Sequence, residues 1–113
     1  MSRSSAAARY QDLNQVIHER SRLAIMSYLI AAREATFSEL KEELALSDGN
    51  LNLHMRVLEK NCFVQVRKEF VNRRPRTTYQ VTAKGRREFT SYVALIERIL
   101  GLQISRSVAT QAP

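Results

Sequence analysis

Five basic side chains are crowded into ten consecutive positions, residues 67 to 76, where Glu69 is the single acid. They are Arg67, Lys68, Arg73, Arg74 and Arg76. Like charges at this density repel one another unless an anion, such as a phosphate backbone, lies among them. Pro75 stiffens the same stretch by restricting its φ angle. The cluster predicts contact with a polyanion; the alternative is a charged hairpin that only keeps the chain soluble.

A second group of polar side chains recurs at helical spacing just upstream. Leu51, Met55 and Leu58 form a narrow apolar stripe at 100° per residue, which must face a core. The candidates for contact with DNA lie opposite this stripe (Gly49, Leu53, Arg56 and Lys60), on its flanks (Asn50 and Asn52) and just before the helix (Ser47). In a major groove, asparagine pairs with adenine, arginine pairs with guanine, and a leucine can contact a thymine methyl. The alternative is an ordinary solvated helix face.

The elements that must hold these residues follow from apolar spacing and caps. Apolar residues at helical spacing predict one broken helix or two abutting helices up to about Arg33, with the break between His18 and Ser21. A short β-prone step at Thr36 and Phe37 precedes a two-turn helix that Ser38 is expected to cap.

The remaining elements alternate a helix, a hairpin and a helix. A tight connection at 46–49 leads into a helix that ends near Lys60, with Ser47 or Asp48 as its cap. A strand at 63–71, a turn at 72–75 and a strand at 76–81 form a β-hairpin. Thr82 is then expected to cap a long helix through about Leu100, and Gly101 to end it.

This order predicts an α+β, mostly helical fold, a winged helix-turn-helix with a two-stranded β-hairpin wing and a long C-terminal helix. Three segments carry a closer resemblance: 37–41, 46–54, and 74–79 leading into 82–86. Together they make residues 37–92 similar to a winged-helix DNA-binding family within the MarR/ArsR-type transcriptional regulators.

The resemblance implies sequence-specific binding of double-stranded DNA by a transcriptional regulator. It assigns the helix 48–60 to the major groove as the recognition helix, and the basic wing 67–76 to the backbone or minor groove. Arg73 and Arg74 would be the tip residues, with Arg76 nearer the phosphates. Similar proteins usually carry glycine where this chain has Cys62, so Asn61 is expected to supply the left-handed turn instead.

The last predicted helix has an apolar side too wide for so small a domain. Part of it, with apolar residues of the first helix, predicts a homodimer interface. The candidates are Leu13, Val16, Ile17, Phe89, Tyr92, Val93, Ile96, Ile99 and Leu100. The alternative is a helix that only closes the core of one chain.

Length and composition limit the remaining possibilities. A chain of 113 residues with a net charge of +7 fits one domain, expected at 10–101 between a flexible arm (1–9) and a tail of uncertain order (102–113). The single cysteine, Cys62, excludes an intramolecular disulfide, and no apolar run suits a membrane span or a secretory signal. We therefore expect a cytoplasmic protein.

The sequence holds no catalytic group set, cofactor motif or metal-ligand spacing, so we expect no enzyme, no cofactor and no metal. His54 is expected to be packed and hydrogen-bonded, and Cys62 to be a small buried side chain. Two other functions stay open: a protein-interaction module in a larger assembly, and RNA binding. RNA binding is disfavoured because Phe63, Phe70 and Tyr79 are expected to serve the structure rather than to stack on bases.

Overall fold

The computed structural model describes residues 10–101, so the predicted arm at 1–9 and tail at 102–113 lie outside the described residues. The fold is α+β with a hairpin wing, as predicted. In chain order its elements are a short 3-10 helix (Tyr10–Asp12), α1 (Arg20–Ala32), β1 (Glu34–Thr36), α2 (Phe37–Leu44), α3 (Asp48–Lys60), β2 (Val64–Val71), β3 (Arg74–Val81) and α4 (Ala83–Leu100).

The segment directly before α1 is a turn, so the prediction of a helix there is wrong. The Asn14 side-chain oxygen accepts hydrogen bonds from the backbone N–H groups of Val16, at 2.9 Å, and Ile17, at 3.1 Å. Such local side-chain bonds compete with helix formation. The Glu19 carboxylate then caps α1 by accepting from the N–H of Arg22 at 2.8 Å, so the predicted break is confirmed.

The sheet has three antiparallel strands in the order β1-β3-β2. The wing, defined here as β2, β3 and the turn between them, is closed by Asn72 and Arg73 alone, both at positive φ. The predicted four-residue turn is therefore too long, because Arg74 and Pro75 already belong to β3. The β-prone step before α2 becomes a third strand, which pairs with residues 78–80.

The core lies between α1, α2 and α3 and the inner half of the sheet. The predicted stripe of Leu51, Met55 and Leu58 is confirmed, since all three are buried. The other buried apolar residues are Ile17, Ile25, Met26, Leu29, Ala35, Leu40, Phe63, Val64, Tyr79, Val81 and Tyr92.

Side-chain oxygens cap the three later helices. Thr36, not Ser38, caps α2 in a capping box, accepting from the N–H of Glu39 while the Glu39 carboxylate accepts from the N–H of Thr36. Ser47 caps α3 and Thr82 caps α4, in line with the sequence. Gly101, in the left-handed conformation, ends α4 as predicted.

The exit from α3 differs from the prediction. Cys62 takes the left-handed conformation, with φ of 64°, whereas Asn61 has φ of −87°. The N–H of Cys62 donates to the carbonyl of Glu59, and the N–H of Phe63 donates to that of Leu58, both at 2.9 Å. These bonds form a Schellman motif with cysteine in the position usually held by glycine. Cys62 is also exposed, so its predicted burial is wrong.

Candidate nucleic-acid interface

The outward side of α3 is open to solvent. Leu58 and its stripe anchor the opposite side in the core, which turns the polar positions outward. Every predicted DNA-contact residue here is exposed: Ser47, Gly49, Asn50, Asn52, Leu53, Arg56 and Lys60. The Ser47 hydroxyl is engaged as the cap, accepting from the N–H of Asn50 at 3.1 Å. Their contact with DNA stays a prediction.

One acidic side chain at the start of α3 is paired. The Lys41 ammonium, on α2, lies 2.8 Å from the Asp48 carboxylate. Both side chains are exposed, so the pair adds little stability. It does, however, reduce the negative potential of the Asp48 carboxylate at the N-terminal end of α3, which a phosphate backbone would approach.

The wing carries its positive charge toward its tip. The guanidinium of Arg67 lies 3.8 Å from the Glu34 carboxylate and 3.6 Å from that of Glu69, so its charge is largely compensated. Within residues 10–101, no ion pair involves the other four predicted wing cations, all of which are exposed: Lys68, Arg73, Arg74 and Arg76. The outer half of the wing is therefore the strongly basic part.

A groove of about 830 Å³ separates this outer half from the start of α2. Residues 36–39 line one side, and Val71, Asn72 and residues 74–77 line the other. The groove brings Arg74 and Arg76 opposite Ser38, at the positive end of the α2 dipole. Sequence reasoning did not single out the α2 terminus, although the Thr36 to Glu39 capping-box spacing would have located it.

Comparison with known proteins decides the family. Residues 21–100 match the family model described as a winged helix DNA-binding domain. The chain belongs to this family. The membership predicted from the sequence is thereby confirmed.

Relatives of this winged helix domain include an uncharacterized protein of Methanocaldococcus jannaschii, which is 36% identical over 87 residues, covering 77% of this chain and 89% of that protein. A transcriptional regulator homologue from Pyrococcus horikoshii OT3 superposes with a TM-score of 0.78 at 30% identity, covering 83% of this chain and 95% of that one. A mutant MarR from E. coli, solved with operator DNA, shares the fold, with a TM-score of 0.56 at 14% identity over 93% of this chain and 84% of its own.

Polar contacts hold α3 of this winged helix domain against α1. The Arg22 guanidinium donates to the Val16 carbonyl at 2.6 Å and lies 3.1 Å from Nδ1 of His54, on α3. The Glu19 carboxylate lies 3.6 Å from the same His54 nitrogen. His54 is thus packed and hydrogen-bonded, as predicted.

The pKa of Glu19 is lowered in this arrangement. Burial acts to raise it, but backbone hydrogen bonds from Arg22 and Ser21, together with the charges of His54 and Arg22, outweigh that effect. The carboxylate therefore stays ionised at lower pH than an ordinary glutamate.

The predicted dimer residues divide into three groups. Ile17 and Tyr92 are buried inside their own chain, and the Tyr92 hydroxyl lies 2.6 Å from Nδ1 of His18. Both therefore lack the surface that a second copy would contact, which corrects the prediction for these two. Leu100 is 61% exposed and Ile99 is half-buried. The others pack partly against the core: Leu13, Val16, Phe89, Val93 and Ile96.

Two kinds of feature are absent from residues 10–101. No group of three or more His, Cys, Asp or Glu side chains in that part of the chain is arranged to hold a metal ion. No helix between residues 10 and 101 is long and apolar enough to cross a membrane.

Proposed function

We propose that the chain is a transcriptional regulator that binds specific sequences in double-stranded DNA, with α3 in the major groove and the wing on the backbone or minor groove. The observation that carries the proposal is a set of four exposed wing cations, Lys68, Arg73, Arg74 and Arg76, that form no ion pair within residues 10–101, on the same small domain as an exposed polar face of α3. Membership of a DNA-binding family and the Pyrococcus regulator homologue support it.

The proposed readout divides the work between α3 and the wing. Asn52 and Arg56 contact base edges and Leu53 contacts a thymine methyl; each good bidentate pair contributes about 1–3 kcal/mol of discrimination. Arg73 and Arg74 contact phosphates or the minor groove and so position α3 without reading sequence.

The groove beside the wing suits one strand of the duplex backbone. A phosphate placed there would meet the Arg76 guanidinium from one side and the α2 terminus, with the Ser38 hydroxyl, from the other. Glu39 also lines the groove, but its carboxylate is held in the capping box.

We further propose a homodimer formed through the C-terminal half of α4, with Leu13 and Val16 contributing. Two copies would then present their α3 helices about 34 Å apart, one turn of DNA. Sedimentation equilibrium tests this. Ile99→Glu with Leu100→Glu should yield a monomer, whereas Ala83→Glu, an exposed site at the other end of α4, should remain dimeric. A wild-type mass of one chain would refute the dimer.

Charge reversal tests the DNA interface. Arg73→Glu combined with Arg74→Glu should abolish binding to a fluorescein-labelled duplex, measured by anisotropy. The matched control reverses Arg20 and Arg33, exposed arginines at the two ends of α1 and outside the proposed interface. Wild-type affinity should fall with salt at a log-log slope of about −0.9 per phosphate contacted. Unchanged binding by the wing variant would reject the role of the wing.

Competition with an RNA duplex of matched sequence separates DNA from RNA as the ligand. The proposal requires the DNA duplex to compete far better than the RNA duplex.

The cytoplasmic location expected from the sequence remains part of the proposal.

A further inference from the structure

Phe70, near the tip of the wing, has 78% of its surface exposed, more than any other large apolar side chain among the described residues. The expectation that it serves the structure is wrong, because the outer half of the wing extends past the core. An aromatic ring gains nothing from folding at such a position. Burial of a phenylalanine is favourable, and only a partner can provide that burial here.

The register of the wing places Pro75 directly opposite Phe70. With a two-residue turn, Val71 and Arg74 form the hydrogen-bonded pair that closes the hairpin, so the next pair, Phe70 and Pro75, is not hydrogen-bonded. Proline fits that position because no ladder bond needs its missing N–H. Paired residues of this kind have Cα atoms only about 4.5 Å apart. The two side chains therefore form one apolar cross-strand pair on the hairpin.

Positively charged side chains surround this apolar pair. Side chains alternate along a strand, so Phe70 shares its face with Lys68, while Arg74 and Arg76 project from the opposite face and Arg73 occupies the turn. None of these four cations has an ion-pair partner among the described residues. A second copy of the wing would be repelled by this charge. The complementary partner is an anion with an apolar interior.

We propose that Phe70, backed by Pro75, is an apolar DNA contact of the wing. Its ring packs against the sugars that wall the minor groove, while Arg73 and Arg74 contact the phosphates along the rim. Apolar side chains are known to act as wedges in minor grooves, and deoxyribose supplies the apolar surface. The inference rests on the proposed DNA-binding function and adds a contact whose strength does not depend on counterion release.

The test measures affinity for a fluorescein-labelled duplex of mixed sequence at several salt concentrations. Phe70→Ser should weaken binding about tenfold at every salt concentration, as expected for losing roughly half the burial of a phenylalanine. The slope of log affinity against log salt should not change, because no cation is removed. Phe70→Leu, which keeps an apolar side chain, should retain most of the affinity. Tyr10→Ser, at an exposed aromatic residue outside the wing, is the matched control.

The location of the contact has its own readout. Hydroxyl-radical footprinting reports on sugars in the minor groove, so Phe70→Ser should lose protection where the wing lies and keep the protection around α3. Circular dichroism of each variant verifies that the fold is intact.

The outcomes separate the two proposals. A wild-type protein that fails to bind any duplex overturns the proposed function and this inference together. A wild-type protein that binds, with Phe70→Ser within about twofold of it or with a changed salt slope, overturns only the role of Phe70. A Phe70→Ser variant that changes the number of chains in the assembly, measured by sedimentation equilibrium, but not the DNA affinity would assign the ring to a protein contact. That result also overturns the inference.

Discussion

Gly85, in the first turn of α4, packs against the carbonyl group of Phe63 at the exit from α3. A Cβ atom at this glycine would overlap the Phe63 carbonyl oxygen and lie 2.9 Å from its carbonyl carbon. The N-cap residue Thr82 reinforces the contact, since its hydroxyl donates to the Cys62 carbonyl at 2.6 Å and its N–H donates to the Phe63 carbonyl at 3.0 Å. The exit from the proposed recognition helix is therefore fixed to the start of the proposed dimer helix by backbone contacts and by the Thr82 hydroxyl.

Gly85→Ala should destabilise the protein by about 1–3 kcal/mol, because the methyl group meets backbone that cannot move aside. Gly49→Ala is the matched control: nothing lies within 4 Å of a Cβ atom there, and alanine favours the helix by about 0.5 kcal/mol. Urea denaturation measures both. Equal stability of the two variants would contradict the close packing at Gly85.

Cys62 is expected to respond to glycine in the opposite direction. Its left-handed backbone is unfavourable for a residue with a Cβ atom, and its exposed side chain contributes no core packing. Cys62→Gly should therefore be about 1 kcal/mol more stable than Cys62→Ala, which keeps the Cβ atom. Thermal and urea unfolding of this pair measure the difference. Greater stability of the alanine variant would refute backbone strain at this position.

The contact between Arg22 and His54 should couple α1 to α3 energetically. Both side chains are mostly buried, so removing either leaves its partner poorly satisfied, and Arg22→Met or His54→Ala should each cost about 1–3 kcal/mol. A double-mutant cycle should give a coupling energy of at least about 0.5 kcal/mol. Additive effects within error would show that the 3.1 Å contact contributes nothing.

Glu19 should contribute to stability in a pH-dependent way. Its pKa in the folded chain lies below that of the unfolded chain, so its contribution is complete above the unfolded-state pKa and is lost as the pH falls through the folded-state pKa. Glu19→Gln should be less stable than wild type at pH 7, and the difference should shrink in acid. Glu42→Gln, at an exposed site on α2, is the matched control. A difference that is constant with pH would contradict the lowered pKa.

Local signals predicted α3 correctly to its ends. Its apolar stripe, the Ser47 cap and the change of pattern after Lys60 all agree, so nothing distant was needed to define it. The prediction for the segment before α1 failed because Leu13, Val16 and Ile17 have helical spacing. The hydrogen bonds to the Asn14 side chain, which form a turn there, have no periodic signature in the sequence.

Long-range pairing explains the strand that the sequence did not predict. Three residues become β1 only because they pair with β3, more than forty positions away. The turn at Asn72 and Arg73 was misplaced because an arginine at positive φ leaves no sequence signal, and Pro75 indicated a turn, whereas it lies in β3 beyond the residues that pair with β1. The sequence does not reveal the groove between α2 and the wing, because its two sides meet only in the folded chain.

Selection of bound sites from a random duplex pool tests the central claim most directly. The account predicts that the wild-type protein enriches a two-fold symmetric sequence, with half-sites about one helical turn apart. Arg56→Ala, a change on the outward face of α3, should enrich the same sequence with the preference lost at one position of each half-site. A pool that stays random after selection with wild type, or an Arg56→Ala sequence identical to that of wild type, would contradict base reading by α3.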